Sequence, residues 1–532
     1  MIRNSIKIAL ALLCASAATL HAEVKLASPF TAHMVLQRDM KVPVWGAADP
    51  GETVTVQFAG QSKTTTAGAD GAWRLDLDPL TASADSRTFS VTGSKTATPI
   101  TLDDVLVGEV WLASGQSNMD FSVSQKVKYF AGTANEDQEI AAANYPNIRI
   151  LTGTAEKMYE PQASVPGEWQ VCTPDTAPAF SAVAYFFARD LQNTIKIPVG
   201  MITMAYGAST AEAWIRREAL ADDPQLSPML TKFDAAVKTF RSTPHPVVAP
   251  PPSEDVSSPS PAPSPMASPL VASASPGASP AAPARPRRPR DPDPVHDQHN
   301  PTVLFNGMIN PIVPYAIRGA IWYQGESIVG GTAGRALYPH VQATLINDWR
   351  TLWGEGNFPF YICQLAALQN NSNNPFVREA QATVLDLPNT GMAVTIDIGD
   401  PKNVHPKDKQ DVGDRLSRIA LANIYGEKIE YSGPMFKSAQ VENGAIRVSF
   451  THLGGGLVAK GGPLKCFAIA GQDQNFVPAD AAIDGDTVVV SGTSVSAPVA
   501  VRYAWENYPD GCNLYNAAGL PSAPFRTDTA SK

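Results

Sequence analysis

Between residues 103 and 427 the chain alternates apolar, strand-like runs with helical stretches, and this alternation restricts its fold more than any other feature. VLVGEVWLAS, VGMITMAYGAS, AIRGAIWYQGES, FPFYICQLA and GMAVTIDIG read as strands. They have the near-continuous hydrophobicity of strands covered on both faces. AVAYFFARDLQNTI, HVQATLINDWRTLWG, VREAQATVLDL and KDKQDVGDRLSRIALANIYG read as helices. Such a pattern predicts an α/β domain, a parallel sheet flanked by helices.

The flanking regions have a different period. Residues 23–101 contain short alternating segments, among them KVPVWG and ETVTVQF, separated by turn clusters at Asp49-Pro50-Gly51 and Asp70-Gly71. They predict an N-terminal β-sandwich. Residues 428–532, with AIRVSF, TVVVSG and VAVRYAW, predict a C-terminal β-rich region. At 532 residues the chain exceeds one core, so several domains are expected. Between 244 and 294 the composition collapses into Pro, Ala and Ser, which cannot bury enough apolar surface to fold. This tract is expected to be a disordered insertion dividing the α/β domain into parts 102–243 and 295–427.

The first 22 residues, MIRNSIKIALALLCASAATLHA, have a basic start (Arg3, Lys7), an apolar core and small residues before Glu23. That is the layout of a signal peptide cleaved near Ala22, so the mature chain is expected to be exported, periplasmic or secreted. Leu13 stands where a lipoprotein signal requires a small residue before Cys14, which argues against a lipid anchor. No other run is long and apolar enough to span a bilayer. A net charge of −9 excludes a nucleic-acid footprint, since the basic cluster at 285–290 lies inside the proline-rich tract. Of the cysteines beyond the leader, Cys466 and Cys512 fall in the same β-rich region and are the expected pair. Cys172 and Cys363 complete a set without zinc-site spacing.

Three of the strand-like runs end in a glycine turn bearing polar side chains. In Gly115-Gln116-Ser117-Asn118-Met119 the glycine permits a sharp exit, leaving Ser117 as a candidate nucleophile. The residues from Asn118 onward are expected to open a helix whose first N–H groups face a developing oxyanion. A Gly-x-Ser turn can equally be an ordinary helix cap. In Tyr206-Gly207-Ala208-Ser209, the Gly207 N–H is a second candidate donor. In Trp322-Tyr323-Gln324-Gly325-Glu326-Ser327, Gln324 offers an amide N–H, and Glu326 can accept from a histidine or hold the loop. His405, in TIDIGDPKNVHPKDKQ, lies between a predicted strand and helix, at the sheet edge where open α/β folds place their sites. Asp397, Asp400 and Asp408 are near enough in sequence to orient its ring.

GQSNM, AYGAS, IWYQGES and IDIGD with HPKDKQ, in this order and spacing, resemble the sialate O-acetylesterase family, a branch of the SGNH (GDSL-like) hydrolases. MVLQR with VPVWGAADPGETVTV, and YAWENYPDGCNLYNAAGLPSAPFRTD, resemble its terminal regions. The resemblance covers nearly all the mature chain except the proline-rich tract. It implies an SGNH-type sheet between the two β-rich regions, with Ser117 as nucleophile and His405 as general base. The N–H groups of Ser117 and Gly207 and the Gln324 side chain would form the oxyanion hole. Many relatives carry Asp three residues before the histidine, where this chain has Lys402, so Asp400 is the first choice of acid, followed by Asp397 and Glu326, with a serine–histidine pair and a weaker orienter as the alternative.

The implied reaction is acetyl-ester cleavage on a sugar, sialic acid or a hemicellulose such as xylan or xyloglucan, through an acetyl-serine, without metal or cofactor. Trp214, Arg378 and Glu379 are candidate sugar contacts. The competing class is an exported carbohydrate-binding or adhesion protein, which would have no use for a nucleophile at a strand end.

Overall fold

The computed structural model describes residues 23–95, 98–243, 292–328, 332–370 and 373–528. The expected signal peptide, and all of the proline-rich tract but its last three residues, lie outside the described residues.

The long strand β1 (Ile100–Gly115) is the axis of the molecule. Its first half pairs antiparallel with strand Ser83–Gly93 and parallel with Val35–Gln37. Its second half enters a different layer, running parallel to β3 (Val199–Ala205) on one side and β4 (Gly319–Tyr323) on the other. Beyond β3 lies β2 (Tyr145–Thr152), and beyond β4 lie β5 (Phe360–Cys363) and β6 (Thr390–Ala393). These six strands are parallel, in the order β2-β3-β1-β4-β5-β6, with Trp169–Cys172 added antiparallel at the β2 edge. β1 thus crosses the boundary expected near residue 101 without a break, and the N-terminal strands and the central sheet share it.

Alternation along the strands sends side chains to two apolar layers. Val110, Leu112, Ile202, Met204 and Trp322 join one, together with Leu345 and Trp349 of helix α2 (Thr332–Trp353). Trp111, Ala113, Met201, Ile321 and Tyr323 join the other, with Phe186 of α1 (Ala182–Ile195) and Leu416 of α4 (Gln410–Asn423). Covering both faces is what the continuous hydrophobicity of these strands requires. A shorter helix, α3 (Asn374–Ala382), lies between β5 and β6 in sequence.

Among the N-terminal strands, Lys25–Leu26, Val42–Ala47 and Ala72–Leu77 form a three-stranded antiparallel sheet. Strands Thr53–Phe58, Gln61–Thr66 and Ser83–Gly93 extend from β1. The C-terminal region is likewise antiparallel, with two four-stranded sheets and a two-stranded ribbon. It is tied to the α/β layer by Arg526 on Glu379, by Tyr515 on Asp397, and by Arg378 on the Glu506 and Asn507 carbonyls.

Two local expectations fail. No helix opens at Asn118. The Gln116 carbonyl accepts from both Met119 N and Asp120 N, closing a single turn, and the chain then runs extended against Phe180 and Ser181. Cys466 and Cys512 are free thiols, with Cys466 Sγ turned to the Asp510 carbonyl instead.

Candidate active site

The carboxyl ends of β3, β1 and β4 lie side by side, with Ala205 and Tyr323 both in register with Gly115. The strand order reverses its direction of growth around β1, which creates a crevice at those ends. Backbone bonds continue past the strands: Tyr206 N donates to the Gly115 carbonyl, and Gln116 N to that of Tyr323. Gly115 has φ +137°, and a Cβ there would run into the Tyr323 carbonyl oxygen. Only glycine lets β1 end this close to β4. Ser117 follows on the turn closed by Gln116.

Ser117 Oγ lies 2.8 Å from His405 Nε2. Gly207 is close by, since a Cβ added to it would sit 3.7 Å from Ser117 Cβ. Neither the Ser117 nor the Gly207 N–H donates to a protein acceptor among the described residues. Gln324 Nε2 donates to the Ser209 carbonyl at 3.2 Å, and its Oε1 accepts from Tyr338 OH at 2.8 Å. The tyrosine bond fixes which end of the amide is nitrogen, leaving the second N–H free to donate.

His405 reaches Ser117 from the far side of the sheet, on the long connection from β6 to α4. Its backbone N–H donates to Asn403 Oδ1 at 2.9 Å, and its ring packs on Phe130 with centroids 4.8 Å apart. Burial, reinforced by the positive charge of Lys409, pushes the imidazole down to about 4.

The expected carboxylate partner is missing from this geometry. Among the described residues no Asp or Glu oxygen comes within 4.0 Å of a His405 ring nitrogen. Asp400 Oδ1 accepts from Lys402 N and Asn403 N, so it shapes the loop's own backbone. An aspartate two or three residues ahead of free N–H groups readily makes this turn. Asp397 is held bidentately by Arg415 and accepts from Tyr515 OH. Asp408 Oδ1 accepts from Asp411 N at the start of α4. Glu326 Oε1 accepts from Asn118 Nδ2, not from the histidine.

That last bond belongs to a network that the sequence gave no reason to expect. Asn118, fully buried, also donates to the Val404 carbonyl at 3.0 Å and accepts from Lys409 Nζ at 2.7 Å. One amide therefore joins the serine turn, the β4 loop and both ends of the segment carrying His405. Lys409 is buried above the rings of Phe121 and Tyr323. Desolvation drives its ammonium down to about 7 despite the opposing charge of Glu326. Burial raises Glu326 in turn. The one sequence signal was the Asn immediately after the serine, which a cap reading passes over.

The three expected sugar contacts are corrected by burial and pairing. Trp214 is 0% exposed, with its indole N–H on Ser209 Oγ and its ring edge-on to Trp322. Arg378 is also 0% exposed, and its guanidinium donates to the carbonyls of Leu365, Ala366, Glu506 and Asn507. It clamps the C-terminal region to the β5 loop. Glu379 is held bidentately by Arg526. No helix among the described residues is long and apolar enough to cross a membrane.

Residues 299–422 match the family model described as carbohydrate esterase, sialic acid-specific acetylesterase. That match takes in Gln324, Glu326 and His405 but stops short of Ser117 and Gly207. Longer alignments cover both parts. The sialate O-acetylesterase of Mus musculus is 27% identical, aligned over 94% of this chain and 94% of its own. The Homo sapiens sialate O-acetylesterase is 28% identical over 94% of this chain and 92% of its own. Among solved structures, a novel carbohydrate acetylesterase from Xanthomonas citri superposes with a TM-score of 0.77 at 34% identity, covering 95% of this chain and 100% of that one. By this end-to-end similarity, the chain belongs to the carbohydrate acetylesterase family that takes in the sialate O-acetylesterases, and it is a carboxylic ester hydrolase.

Proposed function

We propose that the protein is an exported, SGNH-type serine esterase that removes acetyl groups from sugar hydroxyls through an acetyl-serine. The 2.8 Å contact between His405 Nε2 and Ser117 Oγ carries this reading. A neutral imidazole at that distance takes the hydroxyl proton as Oγ attacks the acetyl carbonyl. The negative charge that develops on the carbonyl oxygen is met by the Ser117 and Gly207 N–H groups and the free N–H of Gln324. Donors fixed in advance beside a sheet end pay no reorganisation cost when that charge appears. Collapse of the tetrahedral intermediate expels the sugar oxygen, which takes the proton from His405. Water then repeats the sequence on the acetyl-serine, releasing acetate and restoring the hydroxyl.

His405 acts here with Ser117 as a pair. Phe130 packs on its ring in place of a carboxylate, while Asn403 and the Asn118 bond to Val404 hold the backbone that carries it. Without that anion the imidazolium is poorly stabilised, which agrees with its depressed pKa. The acceptor is an acetylated sialic acid or an acetylated hemicellulose, as the family's relatives suggest.

Ser117→Ala tests the reading. The wild type is expected to release acetate from p-nitrophenyl acetate and to bind a fluorophosphonate covalently, and the variant to lose at least about 10⁴-fold in kcat together with all labelling. Labelling that persists in the variant, or a wild type inert in both assays, would sink it.

A further inference from the structure

Soon after the serine turn the chain places a large aromatic side chain almost wholly in solvent. Tyr129 is 89% exposed, the most exposed of the large hydrophobic side chains among the described residues. It stands on loop 122–133, which is closed at its base: Gly132 N donates to the Ser122 carbonyl and Thr133 N to that of Val123. The loop is also tied from within. Ala131 N donates to the Lys128 carbonyl, Lys128 Nζ is bonded to Asp120, and Glu136 accepts from Ser124 Oγ and from Gln125 N. Gln125 Nε2 reaches the Tyr129 carbonyl itself at 3.3 Å. Main chain and polar side chains thus fix the backbone that carries the ring, and compact surface loops of this kind frequently hold binding residues.

The tip of the loop lies beside the Ser117 and His405 pair. Phe130 packs on the His405 imidazole with centroids 4.8 Å apart, and Tyr129 meets Phe130 edge to face at 5.5 Å and 85°. Tyr129 is therefore one ring beyond the ring that touches the histidine. Ser117, His405 and Phe130 each keep part of their surface in solvent, so a ligand on the pair has these rings as neighbours. Val127 and Val404 are exposed as well, Val404 directly before His405. Apolar side chains exposed singly need no explanation, whereas a cluster beside a reacting pair marks a binding surface. We propose that Tyr129 is the platform on which the ring of the acetylated sugar stacks, and that it selects cyclic acceptors over acyclic ones. This rests on the serine-esterase reading above and adds to it a residue that determines specificity.

The occupant follows from the direction of the reaction. In that reading the departing sugar oxygen takes its proton from His405 Nε2, so the sugar lies within hydrogen-bond reach of the imidazole while the acetyl carbonyl oxygen turns toward Gly207. A pyranose presents a face of C–H groups. The face of a tyrosine ring is apolar and negative in its quadrupole, so it attracts those C–H groups while the hydroxyls around the sugar's rim stay in water. A stiff aromatic side chain makes this contact at small cost in conformational entropy. Tyr129 stands ready for it, since no core contact has to break to expose the ring. An acyclic polyol ester offers no such face.

The test compares two kinds of ester on the full-length enzyme: methyl glycosides bearing one acetyl group, taken as a set of positional isomers, and glycerol monoacetate, which has free hydroxyls but no ring. For the wild type, kcat/KM on the best glycoside is expected to exceed that on glycerol monoacetate by roughly tenfold or more. Tyr129→Ala is expected to lower the glycoside value by about tenfold, through KM, and to change the glycerol ester by less than about twofold. Tyr129→Phe and Tyr129→Trp, which keep a ring face, should retain the preference. A parallel loss on both esters in Tyr129→Ala would overturn the platform, as an effect passed through Phe130 to His405. Glycoside kinetics unchanged in that variant would overturn it too, and equal wild-type rates on the two esters would do so without any variant having to fold. A wild type that hydrolyses none of these esters, nor p-nitrophenyl acetate, would instead overturn the esterase reading itself.

Discussion

Ser117 lies two residues past the end of a strand whose two neighbours are hydrogen-bonded to it and end level with it, whereas His405 follows β6, three strands away, through the connection 394–409. The serine side is positioned by main chain. Gly115, Tyr206 and Gln116 extend the ladders to the turn, so the N–H groups of Ser117 and Gly207 inherit the geometry of the sheet. The histidine side is positioned by side chains. Asn118 grips Val404 and Lys409, Asp400 and Asn403 fold the loop, and Asp397 with Arg415 and Tyr515 anchors its start. A backbone ladder tolerates the loss of one side chain, because the neighbouring bonds remain. A side-chain network concentrates the same task in a few buried polar groups, each costly to leave unpaired.

Three substitutions would break or sharpen this contrast. The largest effect is expected from Gln324→Leu, which removes the side-chain donor proposed for the oxyanion. It should lower kcat by about 10²- to 10³-fold with KM little changed. It also strips Tyr338 OH of a partner, at about 1–3 kcal/mol in unfolding free energy. Steady-state kinetics with denaturant unfolding checks both, and a KM effect alone would mean that the amide binds substrate and not the transition state.

Next is Asn118→Leu, which preserves the main-chain ladder and removes the tie between the two halves. It leaves Lys409 and Glu326 without their shared partner, so a loss of about 2–4 kcal/mol in stability is expected. A kcat lower by about 10- to 100-fold should accompany it as the His405 loop loses its anchor. If kcat is unchanged in the folded variant, the network holds the fold but not the histidine, and the contrast fails.

The smallest and most diagnostic effect is in pH dependence. With burial and Lys409 pushing His405 down to about 4, the wild-type acid limb of kcat/KM should fall near pH 4 and not near 6.5. Lys409, itself lowered to about 7, is fully charged at that pH and opposes protonation of the imidazole. Lys409→Met removes this repulsion, and the limb should move upward, toward the ordinary histidine value. The same shift links to stability. Because the folded state takes up its proton on His405 later than the unfolded chain, the fold loses stability as pH falls from 6.5 toward 4, and the variant should lose less in that window. A limb that stays in place would show that burial alone sets the histidine.

The groups that the structure brings together as the sequence led one to expect are those whose geometry is local. A buried strand run that stops at a glycine names the turn and the side chain just past it, and Gly115-Gln116-Ser117, Tyr206-Gly207 and Gln324-Gly325 each announced themselves in this way. The orienting carboxylate was misjudged because closeness in sequence says little about where a side chain points. Asp400 is nearer to its own loop N–H groups than to the ring, and Asp397 meets an arginine from α4. Trp214 and Arg378 have the composition of sugar contacts, and burial makes them the wall and the clamp behind the site.

By itself the sequence determined the alternating α/β layer, the β-rich regions around it, and the four strand-end blocks of the candidate site, since periodicity and turn residues act over a few neighbours. Only the tertiary structure decided that β3, β1 and β4 end side by side, that Asn118 bridges Glu326, Val404 and Lys409, and that His405 meets Ser117 with no carboxylate of the described residues paired to its ring. Those facts depend on strand order and on packing between segments far apart in the chain, where burial and competing hydrogen bonds choose among partners that composition leaves equivalent.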